Sequence, residues 1–219
     1  MATEWYRNKT WNTEIENNFE AKLKRSRGTY HKAQYLKIQG IELLDTDSSE
    51  TQLIGVNLLL RLIREYQVEE MLVINGHEIL ANHYLEIGDF EKAEFNYRVV
   101  VDRYLTKTRN GTSRIADLKL AETILRSNQA DKLHEAYQLF STFSNDQSLQ
   151  LSFNNQRFYH VELGALLCDK LQKKSEARKY AIQALELSRI KTPDFARHKS
   201  LGLVNATINQ IKVLQNIAE

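Results

Sequence analysis

The sequence predicts an all-α protein: about four consecutive helix pairs with a capping helix at each end. Three observations carry this. Gly and Pro are scarce, eight and one in 219 residues, while Leu, Ala, Glu and Lys abound, a composition poor in turn formers and strand formers. Apolar residues recur at three- and four-residue spacing along most of the chain, the period of one helix face. Small residues recur at a longer interval: Gly40, Ala81, Ala121 and Ala165 stand 41, 40 and 44 residues apart. The chain reads as a single domain, 1–219, long enough to bury a sizeable core.

The elements follow in order. Residues 1–28 form an N-terminal cap, with a helix over 13–25 that starts on Asn12 or Thr13 and carries Ile15, Phe19 and Leu23 on one face. The chain's two tryptophans, Trp5 and Trp11, lie just before it with Tyr6. They read as an aromatic plug that ties down the terminus, each ring burying about 150–250 Å²; a partner interface is the competing role, since Trp and Tyr are favoured there. The first pair, 30–66, places Gly40 opposite Gly55 across the turn DTDSSE. Its second helix contains LIGVNLLLRLI, 53–63, which is apolar on almost every side. Such a helix is expected to be buried all round, within the monomer in preference to a homodimer interface.

The second pair, 72–105, is the clearest. Leu80, Ala81, Tyr84 and Ile87 share a face, IGDF turns with Gly88 as the permissive residue, and Asp89 caps a helix carrying Ala93, Tyr97, Val100 and Val101. Ala81 and Ala93 let the two axes approach closely. The third pair, 115–144, uses Ala121 and Ala136, and the fourth, 156–190, uses Ala165 and Ala177 with Pro193 after it. Residues 195–219 read as a closing helix, with Leu201, Val204, Ile208, Ile211 and Val213 or Leu214 facing the last pair.

His77, Leu80, Ala81 and Tyr84, followed by Ala93 and Tyr97, resemble the tetratricopeptide repeat, W-x2-L-G-x2-Y then A-x3-F. The tryptophan slot is lost and alanine replaces glycine. The twelve-residue step from Ala81 to Ala93 fits and recurs from Ala165 to Ala177; the other two pairs need a turn three residues longer. The interval of 40–44 exceeds the roughly 34 residues of the family and approaches that of HEAT pairs. Small-residue pairing and the A-x3-aromatic pattern favour the former. The resemblance implies a right-handed α-solenoid whose first helices line a concave groove. Asn75, Glu78, Asn82 and Glu86 would line it in the second pair. Glu122 with Leu118 and Leu125 would follow in the third, and Tyr159, Glu162, Leu166 and Asp169 in the fourth. The first pair would add Gln34, Lys37 and Ile41. Such a groove would be acidic with an apolar lining, suited to a basic, partly apolar peptide or helix. Of the residue types that related domains use to clamp a C-terminal carboxylate, only Asn82 is present. Short bacterial proteins of the repeat class can also open with a similar Trp-aromatic-Arg…Trp stretch.

Charge is distributed unevenly. Residues 1–37 carry +4, residues 38–100 carry −8 and residues 101–219 carry +6, so the acidic middle can attract a basic protein or a second copy of the chain. The basic residues form no stripe interleaved with aromatics, which argues against a nucleic-acid partner. No apolar run reaches the ~20 residues of a membrane span, and with a single cysteine, Cys168, and no apolar leader the expected location is cytoplasmic.

Chemistry is not legible. Neither a P-loop nor G-x-G-x-x-G occurs. The six histidines are scattered; His77 and His83 fall on different helix faces, and Cys168 sits in an apolar stripe. The expectation is a non-enzymatic protein–protein interaction module, an adaptor or scaffold, without metal or cofactor. The alternative is an inhibitor of a partner protein, of immunity or antitoxin type, or a peptide-sensing regulator.

Overall fold

In a computed structural model, residues 4–195, 197–198 and 200–219 are described. The regular elements among them are helical, apart from an isolated antiparallel bridge between Phe195 and His198. The contacts divide the chain into two compact units, Met1–Ala116 and Asp117–Glu219, where the sequence suggests one domain.

The first unit holds α1 (Thr13–Arg25), α2 (Thr29–Leu44), α3 (Ser49–Glu65), α4 (Glu70–Ile87) and α5 (Phe90–Thr106). Helix α1 starts where expected, on Asn12, whose side chain accepts from the Ile15 amide and so satisfies a donor that the first turn leaves open. Helix α4 stops at Gly88, whose φ of +80° is the left-handed conformation glycine adopts without strain; Asp89 then accepts from the Lys92 amide and starts α5. Neighbours pack in chain order, α2 on α3, α3 on α4 and α4 on α5, and α2 also lies against α4. Gly40 and Gly55 sit where α2 and α3 come closest: a Cβ on Gly55 would stand 2.8 Å from the Gly40 carbonyl oxygen.

Phe19, Leu23, Leu36, Leu43, Leu58 and Leu62 belong to one core cluster of this unit, and Trp5, Tyr6 and Trp11 pack on it half-buried. Trp5 lies 5.4 Å and Trp11 5.5 Å from the Phe19 ring, and Tyr35 takes both Trp5 and Tyr6 at 4.7 Å. Between the tryptophans, buried Gln39 accepts from the Asn8 amide at 3.0 Å and donates to the Asn8 carbonyl at 2.8 Å. The N-terminal segment is therefore laid across α1 and α2 by rings and by a reciprocal amide pair.

The second unit holds most of α6 (Ala116–Arg126), a 3-10 turn at Ala130–Lys132, α7 (Leu133–Asn145), α8 (Asn154–Lys170), α9 (Lys174–Ser188) and α10 (Ile208–Ala218). Helix α7 packs on α8, α8 on α9, α9 on α10, and α10 also reaches α8. Of the small residues paired in sequence, Ala81, Ala93, Ala121, Ala136, Ala165 and Ala177 are all buried, as are Gly40 and Gly55.

Two expectations are corrected. The closing helix begins at Ile208, not 195; Ala196 and Lys199, like residues 1–3 of the N-terminal cap, lie outside the described residues. Asp194, ahead of this helix, is tied to α8 instead. Its carboxylate accepts from the Asn154 backbone at 2.8 Å and the Asn154 side chain at 2.6 Å, so it holds the first turn of α8, which Phe153 does not cap. Gly202, at φ +79°, closes the turn, and Thr207 with Gln210 makes a reciprocal capping box that starts α10. Val204 and Leu214 are buried as expected, while Leu201 and Ile208 are exposed. The second correction concerns 53–63. Leu53 is 59% and Leu60 46% exposed, because α2 and α4 cover only part of the circumference of α3.

Candidate functional site

In the first unit three of the expected groove residues meet. Ile41 of α2 and Asn82 and Glu86 of α4 line one cavity of about 460 Å³, together with Asp45, Asp47 and His83. Contact between α2 and α4 sets the width, and the α2–α3 turn supplies the acidic rim. That turn is held by Gln52, which donates to the Thr46 carbonyl at 2.6 Å. Ile79 and Ile87 give the cavity an apolar wall.

The polar groups are ordered. Tyr97, fully buried, donates to Asn82 Oδ1 at 2.6 Å, which fixes the carboxamide. The hydrogen bond from Lys9 holds the Asp45 carboxyl below its usual range; Lys9 Nζ lies 2.7 Å from Asp45 and 3.0 Å from Glu42. The Lys9 bond likewise lowers Glu42, against the opposing effect of burial, and Arg7 adds to it at 2.8 Å. Burial pushes His83 down, partly countered by Glu86, so the imidazole is neutral near pH 7. The site is thus a half-apolar cleft with acidic groups on its rim, one of them bound by the chain's own Lys9.

Other expected residues stand elsewhere. Glu78 is buried, and its carboxylate accepts from the Ser113 amide at 2.9 and 3.0 Å and from the Ser113 hydroxyl at 2.5 Å. It pins the segment after α5 and has no face toward the cleft. Asn75 is half-buried nearer the start of α4 and does not line the cavity. No spacing in the sequence singles out Asp45, Asp47 or His83. The acidic composition of DTDSSE was the available signal, and it read as a turn.

In the second unit Glu122, Tyr159 and Glu162 come together. Tyr159 donates to Glu122 at 2.8 Å, Lys119 lies 2.9 Å from the same carboxylate and 4.2 Å from the Tyr159 ring, and Arg126 adds a contact at 3.2 Å. Burial would raise the Glu122 carboxyl, but Lys119, Tyr159 and Arg126 together hold it low. Glu162 is raised, chiefly by burial and further by the Glu122 charge, against the opposing bond from Gln210 at 2.8 Å. Lys119 and Arg126 offset the acidity expected of this face. Leu118 is fully buried, and Asp169 is exposed at the end of α8.

The reactive groups are held by their neighbours. Ser144 Oγ lies 2.7 Å from His160 Nε2 but donates its one proton to the Phe140 carbonyl at 2.7 Å. A serine proton held by that carbonyl is not passed to the imidazole, the transfer that activates a serine. Cys168 is fully buried, and burial with the nearby Glu176 charge pushes its thiol up to about 11. We expect it to resist maleimide at neutral pH in the native protein and to react at the rate of a free thiol once urea unfolds the chain; fast native labelling, read by intact mass, would contradict this. Among the described residues no group of three or more His, Cys, Asp or Glu is placed to hold a metal, and no helix is long and apolar enough to cross a membrane.

No family model matches the chain, and neither a curated protein nor a solved structure does.

Proposed function

We propose that the chain is a tetratricopeptide-like helical-repeat adaptor, without enzymatic activity, whose α2–α4 cleft binds a basic, partly apolar peptide from a partner protein. The observation that carries this is the convergence of Ile41, Asn82 and Glu86, from two helices, on one cavity with Asp45 and Asp47. A volume of about 460 Å³ falls within the range of small-ligand pockets and suits one or two long side chains. A lysine or arginine can lay its methylene stem on Ile79 and Ile87 while its charged head reaches the carboxylates. Lys9 supports the choice of ligand charge, since an ammonium already binds Asp45 at the rim. The repeat reading is supported by burial of every paired small residue and by the contacts of α2 with α4 and of α8 with α10.

A fluorescein-labelled peptide of alternating lysine, leucine and arginine is the probe. We expect saturable binding by fluorescence polarisation that weakens as salt rises. Asp47→Lys with Glu86→Lys should weaken it about tenfold or more, as expected for reversing two charges at once. Equal binding by the variant and the wild type would remove the cleft from consideration.

A further inference from the structure

Residues 21–41 contain Lys22, Lys24, Arg25, Arg27, Lys32 and Lys37 and no acidic residue. Folding brings two of these cations to a second cavity of the first unit, about 410 Å³, lined by Lys24 of α1, Lys32 of α2 and Arg61 of α3. Leu23 and Tyr66, both buried, give it an apolar floor. Its one acidic lining residue, Glu20, is bound by Arg61 at 2.5 Å. Arg61 also holds Glu65 at 3.0 Å, and Glu69 accepts from the Thr29 hydroxyl. Glu20, Glu65 and Glu69 are therefore engaged. The ammonium groups of Lys24 and Lys32, by contrast, make no ion pair or hydrogen bond among the described residues. The cavity keeps two uncompensated positive charges above an apolar base.

We propose that this cavity is a second docking site and takes an acidic side chain from a carboxylate-rich segment of a partner protein. Two lysines around a side-chain-sized hollow match one carboxylate and its apolar neighbour. A nucleic acid or a lipid surface would call for a stripe of cations along an extended face. The site is independent of the α2–α4 cleft and has the opposite charge, so the unit can hold two different partners. That separates an adaptor, which must bind two proteins, from an inhibitor, which needs one.

The test uses the full chain and a fluorescein-labelled peptide of alternating glutamate and leucine. Lys24→Glu with Lys32→Glu is expected to weaken binding about tenfold or more. Arg25→Glu with Arg27→Glu makes the same change in net charge outside the cavity and should weaken it less than about threefold. Asp47→Lys with Glu86→Lys should not weaken it, so failure of the cleft and failure of this site are read separately. Lys24→Met with Lys32→Met keeps the aliphatic stems; it should retain the wild-type circular dichroism and melting curve while losing the peptide. The proposal is overturned if the two glutamate variants lose binding equally, which would indicate net charge alone, or if the peptide fails to bind at low salt. It is also overturned if phosphatidylserine vesicles, a single-stranded oligonucleotide or a second copy of the chain, read by sedimentation, compete for Lys24 and Lys32 more strongly than the peptide does.

Discussion

Gly55→Leu is expected to destabilise the first unit by about 3 kcal/mol or more, and Gly55→Ala by about 1–2 kcal/mol. A Cβ at this position would lie 2.8 Å from the Gly40 carbonyl oxygen and 3.1 Å from the Leu44 amide nitrogen. Both are backbone atoms and cannot rotate away, so α2 and α3 must separate and loosen Leu43, Leu59 and Leu62, all fully buried. Alanine recovers about 1 kcal/mol of helix propensity, which is why its net cost is smaller. Gly40→Ala is the internal control. Its Cβ would stand 2.9 Å from the Leu59 side chain and 3.2 Å from its nearest backbone atom, the Gly55 carbonyl oxygen, so it should cost less than Gly55→Ala. Urea denaturation followed by circular dichroism decides the matter; an unchanged or raised midpoint for Gly55→Leu would show that the helices are not held at this distance.

Phe19→Ala is expected to cost about 3–5 kcal/mol, the range for removing a buried aromatic side chain, and to free the N-terminal segment. The ring is fully buried and lies between Trp5 and Trp11, with Leu23, Leu36, Leu58 and Leu62 in the same core. The chain has no other tryptophan, so fluorescence reports on this cluster alone. The emission maximum should shift to the red in the native variant, ahead of the loss of helix signal in a urea titration. Trp5→Ala should cost less, because that ring is half-buried and its neighbours can close over part of the gap. An unshifted maximum for Phe19→Ala would mean that Asn8–Gln39 and the Arg7 and Lys9 ion pairs hold the segment without the rings.

These two positions illustrate what was legible in the sequence. Gly55 was found by its distance from Gly40 and Phe19 by its place in a helical stripe, and both lie where those patterns put them. The cleft was legible in part. Ile41, Asn82 and Glu86 belong to the groove that the repeat resemblance implies, beside the buried small residues, whereas Asp45 and Asp47 lie in a turn whose path no helical period describes. Glu78 is the instructive case: its spacing places it with Asn82 and Glu86, yet Ser113, 35 residues away, takes the carboxylate into the fold.

The sequence alone therefore determined the all-helical class, the order of the elements and most of their ends. Those properties depend on interactions within a few residues: the helical period, the side chain that caps the first turn, the small residues that admit a neighbour. Only the tertiary structure decided which carboxylates face inward, that Lys9 binds the rim of the cleft, and that Asp194 holds the start of α8. Each of these depends on a hydrogen bond or ion pair between groups tens of residues apart. A buried charge must find such a partner or forgo burial, and nothing in its local sequence names which partner that will be.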